Sequence, residues 1–423
     1  MRIAVVGTGI AGLVSAALAA RAHEVTVFEA GDYVGGHTHT HRVERFGRVY
    51  SVDSGFIVFN ERTYPNFIRL LDGLGVASHP TTMSFSVRDE RDGLEYNGTD
   101  LNRLFAQRRN LVRPSFLRMV AEIVRFYREA PRLLSAGDDL TLGAYLADAG
   151  YSRRFVEQHI LPMGAAVWSA DPTTLREFPA RAFVRFFANH GFLELRDRPR
   201  WRVVSGGSQR YIEPLTRGFR DRIRLSCPVR RIERRADGVL VTSGAADRER
   251  FDAVIVAAHS DQALAMLADP SAAERAILGA IPYQRNEAVL HHDQSLLPRR
   301  RRAWAAWNYH VVDGPTVGAA VTYNMNLLQG LESPEPFCVT LNRGDAIDPR
   351  RVIARMTYHH PVYTRASIAA QHRWAEISGV NRTYYCGAYW GYGFHEDGVN
   401  SGLAVAGQLG IGLDDAPALT RAA

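Results

Sequence analysis

Lysine is absent from this chain of 423 residues, so all 51 of its basic residues are arginine. No ε-amine exists for a Schiff base or for the lysine of a phosphate loop. Cysteine is scarce: Cys227, Cys338 and Cys386 are widely spaced and odd in number. They read as reduced thiols, with neither a disulfide frame nor a zinc site. No apolar run approaches the roughly 18 residues of a membrane-spanning helix. Met1-Arg2 leads straight into the strand-like Ile3–Val6, which leaves no room for a signal peptide, and the expected location is cytoplasmic. The net charge of +7 is modest, and without a basic reader helix it does not indicate nucleic acid. Two histidine pairs, His291-His292 and His359-His360, stand in strand-like segments. Neighbouring strand residues point to opposite faces, so each pair offers one ligand to one site, and no metal is expected.

With 46% hydrophobic and 22% charged residues, the composition is that of a globular protein of two or three compact units. The opening residues are the most informative. A strand (3–6) runs into Gly7-Thr8-Gly9-Ile10-Ala11-Gly12, a helical run to Arg21, and a second strand, Val25–Phe28, that ends on Glu29-Ala30. This is a βαβ unit carrying the dinucleotide fingerprint in its proper setting. Gly7 permits the tight turn, Gly9 lets the backbone approach a pyrophosphate, and Gly12 brings helix and strand together. The helix start, at Ile10 and Ala11, offers free N–H groups to phosphate. Glu29 stands where a carboxylate accepts hydrogen bonds from a ribose diol. A second glycine pair, Gly35-Gly36, followed by His37, and a glycine-rich block from Cys386 to Gly402 favour FAD over NAD.

Further along, 113–134 predicts one long amphipathic helix and 140–158 a second helical region. Strands are expected near 202–204, over 229–241, over 251–257 and at 384–386. Nucleotide-binding pieces therefore alternate with another unit. The expected FAD-binding domain comprises 1–60, 203–275 and 380–415; the expected substrate domain comprises 61–202 and 276–379.

Residues 3–60, 203–260 and 384–410 together resemble the flavin-containing amine oxidase superfamily, which also holds phytoene desaturases and protoporphyrinogen oxidases. The resemblance implies a Rossmann-like FAD-binding domain of GR2-type flavoproteins with an interleaved α+β substrate domain. It implies that the Val229 strand meets the adenine end and that the turn at Gly55 lies near the flavin. It implies too that Gly387, Gly398, Val399 and Ser401 belong to a block closing on the ring. Two departures stand out: His37 replaces the arginine common after the glycine pair, and the lysine that serves the flavin in amine oxidases is missing. Gly35-Gly36-His37-Thr38, the 162–169 segment, the 304–309 segment and His359-His360-Pro361 are similar to a bacterial subgroup. Genes of that subgroup accompany cyclopropane-fatty-acid synthase-like methyltransferases. This likeness implies desaturation of a methyl-branched fatty acyl chain on a phospholipid, a step towards furan fatty acids.

Dehydrogenation next to a double bond needs only a weak base, and histidine suffices. His395, Glu396 and His159 are the candidates by position. Arg299–Arg302, followed by Trp304 and Trp307, suggests peripheral contact with an anionic inner-membrane face. Two alternatives stay open: oxidation of a soluble amine, and a non-catalytic flavoprotein partnering a lipid methyltransferase.

Overall fold

The computed structural model describes residues 1–135, 140–244, 247–313 and 318–411. Residues 412–415 of the expected nucleotide-binding unit lie outside them. The fold is mixed α/β. At its centre is a five-stranded parallel sheet whose strands come from the two ends and the middle of the chain. β1 (Arg2–Val6) lies between β2 (Glu24–Phe28) and the Ala253–Val256 strand; Thr383–Tyr385 and Ile223–Arg224 form the edges. Val5 pairs with Val27 on one side and Ile255 on the other. The inner strands read as continuous apolar runs because helices or a second sheet cover both faces. A three-stranded antiparallel sheet (229–235, 238–243, 247–251) packs beside it. The other large element is a seven-stranded sheet built mainly from 283–361, with strands 85–89 and 94–97 at one edge.

Several expected elements are shorter than the sequence pattern suggests. The 113–134 segment is α-helical only over Pro114–Glu129 and tightens into a 3-10 turn at Ala130–Leu134, where Pro131 cannot supply a helical N–H. The 140–158 region breaks after Asp148, because Gly150 adopts a positive φ of 65°. The 229–241 run is a hairpin folded at Asp237, rather than one strand. Phe67, Leu70, Leu71 and Leu74 belong to the core beside the parallel sheet although they lie beyond residue 60. Among the described residues no helix is long and apolar enough to cross a membrane.

Two helices position the site. α1 (Ile10–Ala19) follows the first glycine loop, and the helix His395–Gln408 lies parallel against it. Small residues allow this contact. A Cβ on Gly398 would lie 2.6 Å from Ile10 Cγ2, and one on Gly402 would lie 2.8 Å from the backbone oxygen of Ala11. Farther along the same helix Gly407 faces open space. Gly402→Ala is therefore expected to destabilise the protein by about 1–3 kcal/mol through overpacking. Gly407→Ala should instead stabilise it by up to about 1 kcal/mol through helix propensity. Urea unfolding of both variants checks this pair of opposite signs.

Candidate active site

A cleft of about 650 Å³ runs from the first glycine loop to an aromatic wall that includes Trp168, Trp307 and Tyr363. Its nucleotide end is built by the turn after β1. Gly7, with φ 105°, donates its N–H to Phe28 O, and any side chain there would meet Ala257 O. A Cβ on Gly12 would come within 2.2 Å of Gly7 O, so helix and loop close directly on each other. No side chain caps α1 at Gly9, and the first intrahelical acceptor is Gly9 O, taken by Leu13. The N–H groups of Ile10 and Ala11 therefore remain for a ligand.

Thr8 ties this end together. Its N–H donates to Glu29 Oε2 at 2.9 Å, its hydroxyl donates to the same oxygen, and Gly35 N–H donates to Thr8 Oγ1 at 3.2 Å. Glu29 Oε1 accepts from Gly31 N–H at 2.8 Å, which leaves the carboxylate oriented with lone pairs to spare for a diol. The second glycine pair rests on the first: a Cβ on Gly36 would lie 3.2 Å from Gly9 Cα. The 227–229 segment runs beside Glu29, with Cys227 N–H donating to Glu29 O, and Val229 lines the cleft.

At the other end the lining is aromatic: Trp168, Trp307, Tyr323, Tyr363 and Phe394, with Gly55–Val58 alongside. Five buried polar atoms along the cleft have no partner among the described residues, His37 Nε2, Trp168 Nε1, Trp307 Nε1, Tyr363 OH and Tyr389 OH. Unpaired polar groups are costly in a dry interior, and here they await a polar ligand. The two glycine loops, the open helix start, the Glu29 carboxylate and the orphaned His37 nitrogen beside the second glycine pair all fit FAD.

Histidine is the main titratable group. His37 packs on Tyr358 and His360, with ring centroids 4.8 and 5.2 Å away. Burial, helped by neighbouring imidazoles, holds its pKa well below the usual value. His360 is anchored through Nδ1 to Asn286, 2.9 Å away, and burial lowers it to about 4. His395 stacks on Phe56 at 3.5 Å, while its Nε2 meets Thr38 Oγ1 and Tyr211 OH at 3.0 and 3.1 Å; burial lowers it to about 3. All three are neutral imidazoles at physiological pH.

The structure gathers Gly7, Gly9, Ile10, Ala11, Glu29, Ala30, Gly35, Gly36, His37, Gly55, Val229, Gly387 and His395 around the cleft. Other expected residues lie elsewhere. Gly12, Gly398 and Val399 serve packing in and around α1. Ser401 Oγ accepts the N–H of Gly387 and so holds the loop that lines the cleft. Glu396 is not placed to act on a substrate. Both its oxygens accept backbone N–H groups, from Asn66 and Phe67, at the start of α2 (Pro65–Gly73). His159 is buried on a π-helical turn, its Nδ1 3.0 Å from Tyr96 OH, and is not part of the cleft lining. Trp307 faces the cleft and the Trp304 indole donates to Pro298 O, so neither forms the interfacial belt that the sequence suggested. Thr8, Trp168 and His360 were missed as site residues; Thr8 is enclosed by motif glycines, while Trp168 and His360 stand in segments noted only for their likeness to a bacterial subgroup.

Fold and cleft together define a dinucleotide-binding flavoprotein. The family model described as "Flavin containing amine oxidoreductase" matches residues 10–289, and the chain belongs to this family of FAD-dependent oxidoreductases. A Mycobacterium tuberculosis protein that bears the name of a flavin-containing monoamine oxidase, AofH, is 28% identical over 287 residues. That match covers 63% of this chain and 59% of the relative, so it spans less than two thirds of the relative's length. The structure is similar to cyclohexylamine oxidase from Brevibacterium oxydans IH-35A (TM-score 0.69, 17% identity, 97% of this chain and 99% of that one). It is also similar to a CLA-producing fatty acid isomerase from P. acnes (TM-score 0.67, 17% identity, 95% and 96% covered). At such identities these likenesses show the fold.

Two predictions follow from the geometry. Gly9 has an ordinary φ of −62° and open space beside it. Gly9→Ala should leave the melting temperature of the apoprotein unchanged yet weaken FAD binding at least about tenfold, or ~1.4 kcal/mol, by filling the pyrophosphate approach. Flavin fluorescence titration with apoprotein melting separates the two effects. Asp397 is buried and accepts the N–H groups of Tyr392 and Phe394 at 3.0 and 2.9 Å. Burial raises its pKa to about 7. The folded state thus holds a proton between pH 4 and 7 that the unfolded chain has released, and this contribution to stability falls as pH rises through that window. Asp397→Asn should be more stable than wild type at pH 8, with the difference vanishing below about pH 4 in denaturant titrations.

Proposed function

We propose that this protein is an FAD-dependent dehydrogenase that desaturates a methyl-branched, unsaturated fatty acyl chain of a phospholipid. The observation that carries this reading is the lining of the cleft. Its substrate end is aromatic and aliphatic, and its one carboxylate among the described residues, Glu29, stands at the nucleotide end. Such a surface gains from burying a hydrocarbon chain and offers no counter-ion to a charged group. Bound FAD would supply the acceptor for a hydride leaving an allylic carbon. The chain's own residues would exclude water, align the hydrocarbon between rings and receive the proton released from the adjoining carbon. Neutral His360 and His395 line the cleft and suit that last role, since the proton beside an allylic cation is acidic. The acyl substrate also fits the fold, which the isomerase of P. acnes shares.

Amine oxidation is the second reading. Family membership supports it, and the rings of Trp168, Tyr323, Tyr363 and Phe394 would accommodate an amine through their π faces. The missing lysine requires that any such activity run without the usual partner of the flavin. A third role, as flavoprotein partner of a cyclopropane-synthase-like methyltransferase, needs no turnover by this chain alone.

Anaerobic titration of the holoprotein, followed at the ~450 nm flavin band, distinguishes the three. Bleaching by vesicles of methyl-branched unsaturated phospholipid, and not by amines, is the expected result. Bleaching by an amine alone establishes the second reading. If dithionite alone bleaches the band, acyl and amine turnover both fall, and the partner role is what remains.

A further inference from the structure

One surface outside the cleft combines two features that soluble proteins keep apart. Between residues 101 and 118 the side chains of Leu101, Leu111, Val112 and Leu117 are 74%, 51%, 82% and 41% exposed. The same segment holds Arg103, Arg108, Arg109, Arg113 and Arg118 and no acidic residue. The Leu101–Leu104 turn packs against the Arg301–Ala303 turn, which brings the exposed Arg299–Arg302 to the same face. Arg103, Arg113 and Arg118 pair with Asp100, Asp92 and Glu122, but the others have no carboxylate partner among the described residues. Arg108 and Arg109 reach only amide and backbone oxygens, among them Phe105 O and Gly93 O. Arg299 and Arg300 are held by their backbone N–H groups, which donate to Glu95, so their guanidinium groups stay outward. Arg301 lies over the Trp304 ring.

We propose that this face docks on an anionic lipid bilayer, with the four aliphatic side chains entering the headgroup boundary and the arginines resting on lipid phosphates. Protruding aliphatics gain free energy from an acyl boundary and none from a solvated polyanion. Unpaired guanidinium groups match phosphate geometry. The inference concerns where the protein sits and goes beyond what it oxidises. Vesicles without branched chains test it, so its failure and that of the acyl-dehydrogenase reading are distinguishable.

The test is co-sedimentation of the full-length holoprotein with vesicles of straight-chain phosphatidylglycerol and phosphatidylcholine, against vesicles of phosphatidylcholine alone. The expected result is at least tenfold stronger binding to the anionic vesicles, weakening as salt rises. The triple variant Arg299→Ser, Arg300→Ser, Arg302→Ser should lose about fivefold per arginine and part of the salt dependence. The double variant Leu111→Ser, Val112→Ser should bind more weakly at every salt concentration. Arg230→Ser, Arg248→Ser, Arg250→Ser removes equal charge from the three-stranded sheet and should change binding less than twofold. An unchanged flavin spectrum certifies the fold of each variant. Equal binding to both vesicle types, no binding, or equal loss from the two arginine triples would overturn the proposal. So would tighter binding to single-stranded RNA that is indifferent to Leu111 and Val112.

Discussion

The contact between α1 and the 395–408 helix is the constraint on which the rest of the site depends. Gly398 and Gly402 let the two helices lie parallel at close range, so two N-termini open side by side onto one cleft. Each carries roughly half a positive charge, and like poles repel when nothing lies between them. The sequence meets this in two ways. Acids fill the first turn of the later helix, where Asp397 and Glu396 accept backbone N–H groups from neighbouring segments. The remaining positive potential is directed at the place where a pyrophosphate and an electron-rich ring system are to sit. Affinity for an anionic dinucleotide is therefore a property of helix packing as much as of any contact residue.

The nucleotide half was largely legible in the sequence because its chemistry is local. Strand, glycines, helix and Glu29 follow one another within thirty residues, and each glycine answers a backbone requirement that no side chain can meet. The substrate half was not legible in this way. His360 lies more than three hundred residues from His37, and only the pairing of strands 283–291 and 352–361 beside the glycine loops brings the rings together. Glu396 and His159 show the opposite failure. Their residue types suit acid–base work, but one is consumed by the start of α2 and the other by a buried contact with Tyr96. Proximity to a motif in sequence says little about which way a helical side chain turns. Gly398 illustrates this too: expected to close on the flavin ring, it packs against Ile10.

Burial gives the cleft its electrical character. Imidazoles that carry charge in water are held neutral here, and the aromatic wall brings no charge of its own. A neutral, dry lining around a positively poised nucleotide end separates the two tasks of the site. Electrostatics fixes the cofactor, and shape with hydrophobicity selects what lies against it.

The order of strands in the parallel sheet has a temporal side. Its centre comes from the first residues of the chain, its fourth strand from 253–256 and its fifth from 383–385, and the helix that completes the cleft follows directly after. During synthesis at roughly 5–20 residues per second, the glycine loop emerges tens of seconds before its partner helix exists. The cleft is therefore assembled only once the 395–408 helix has been translated, so the cofactor can act as a seal on the assembled sheet and not as a nucleus for a growing one.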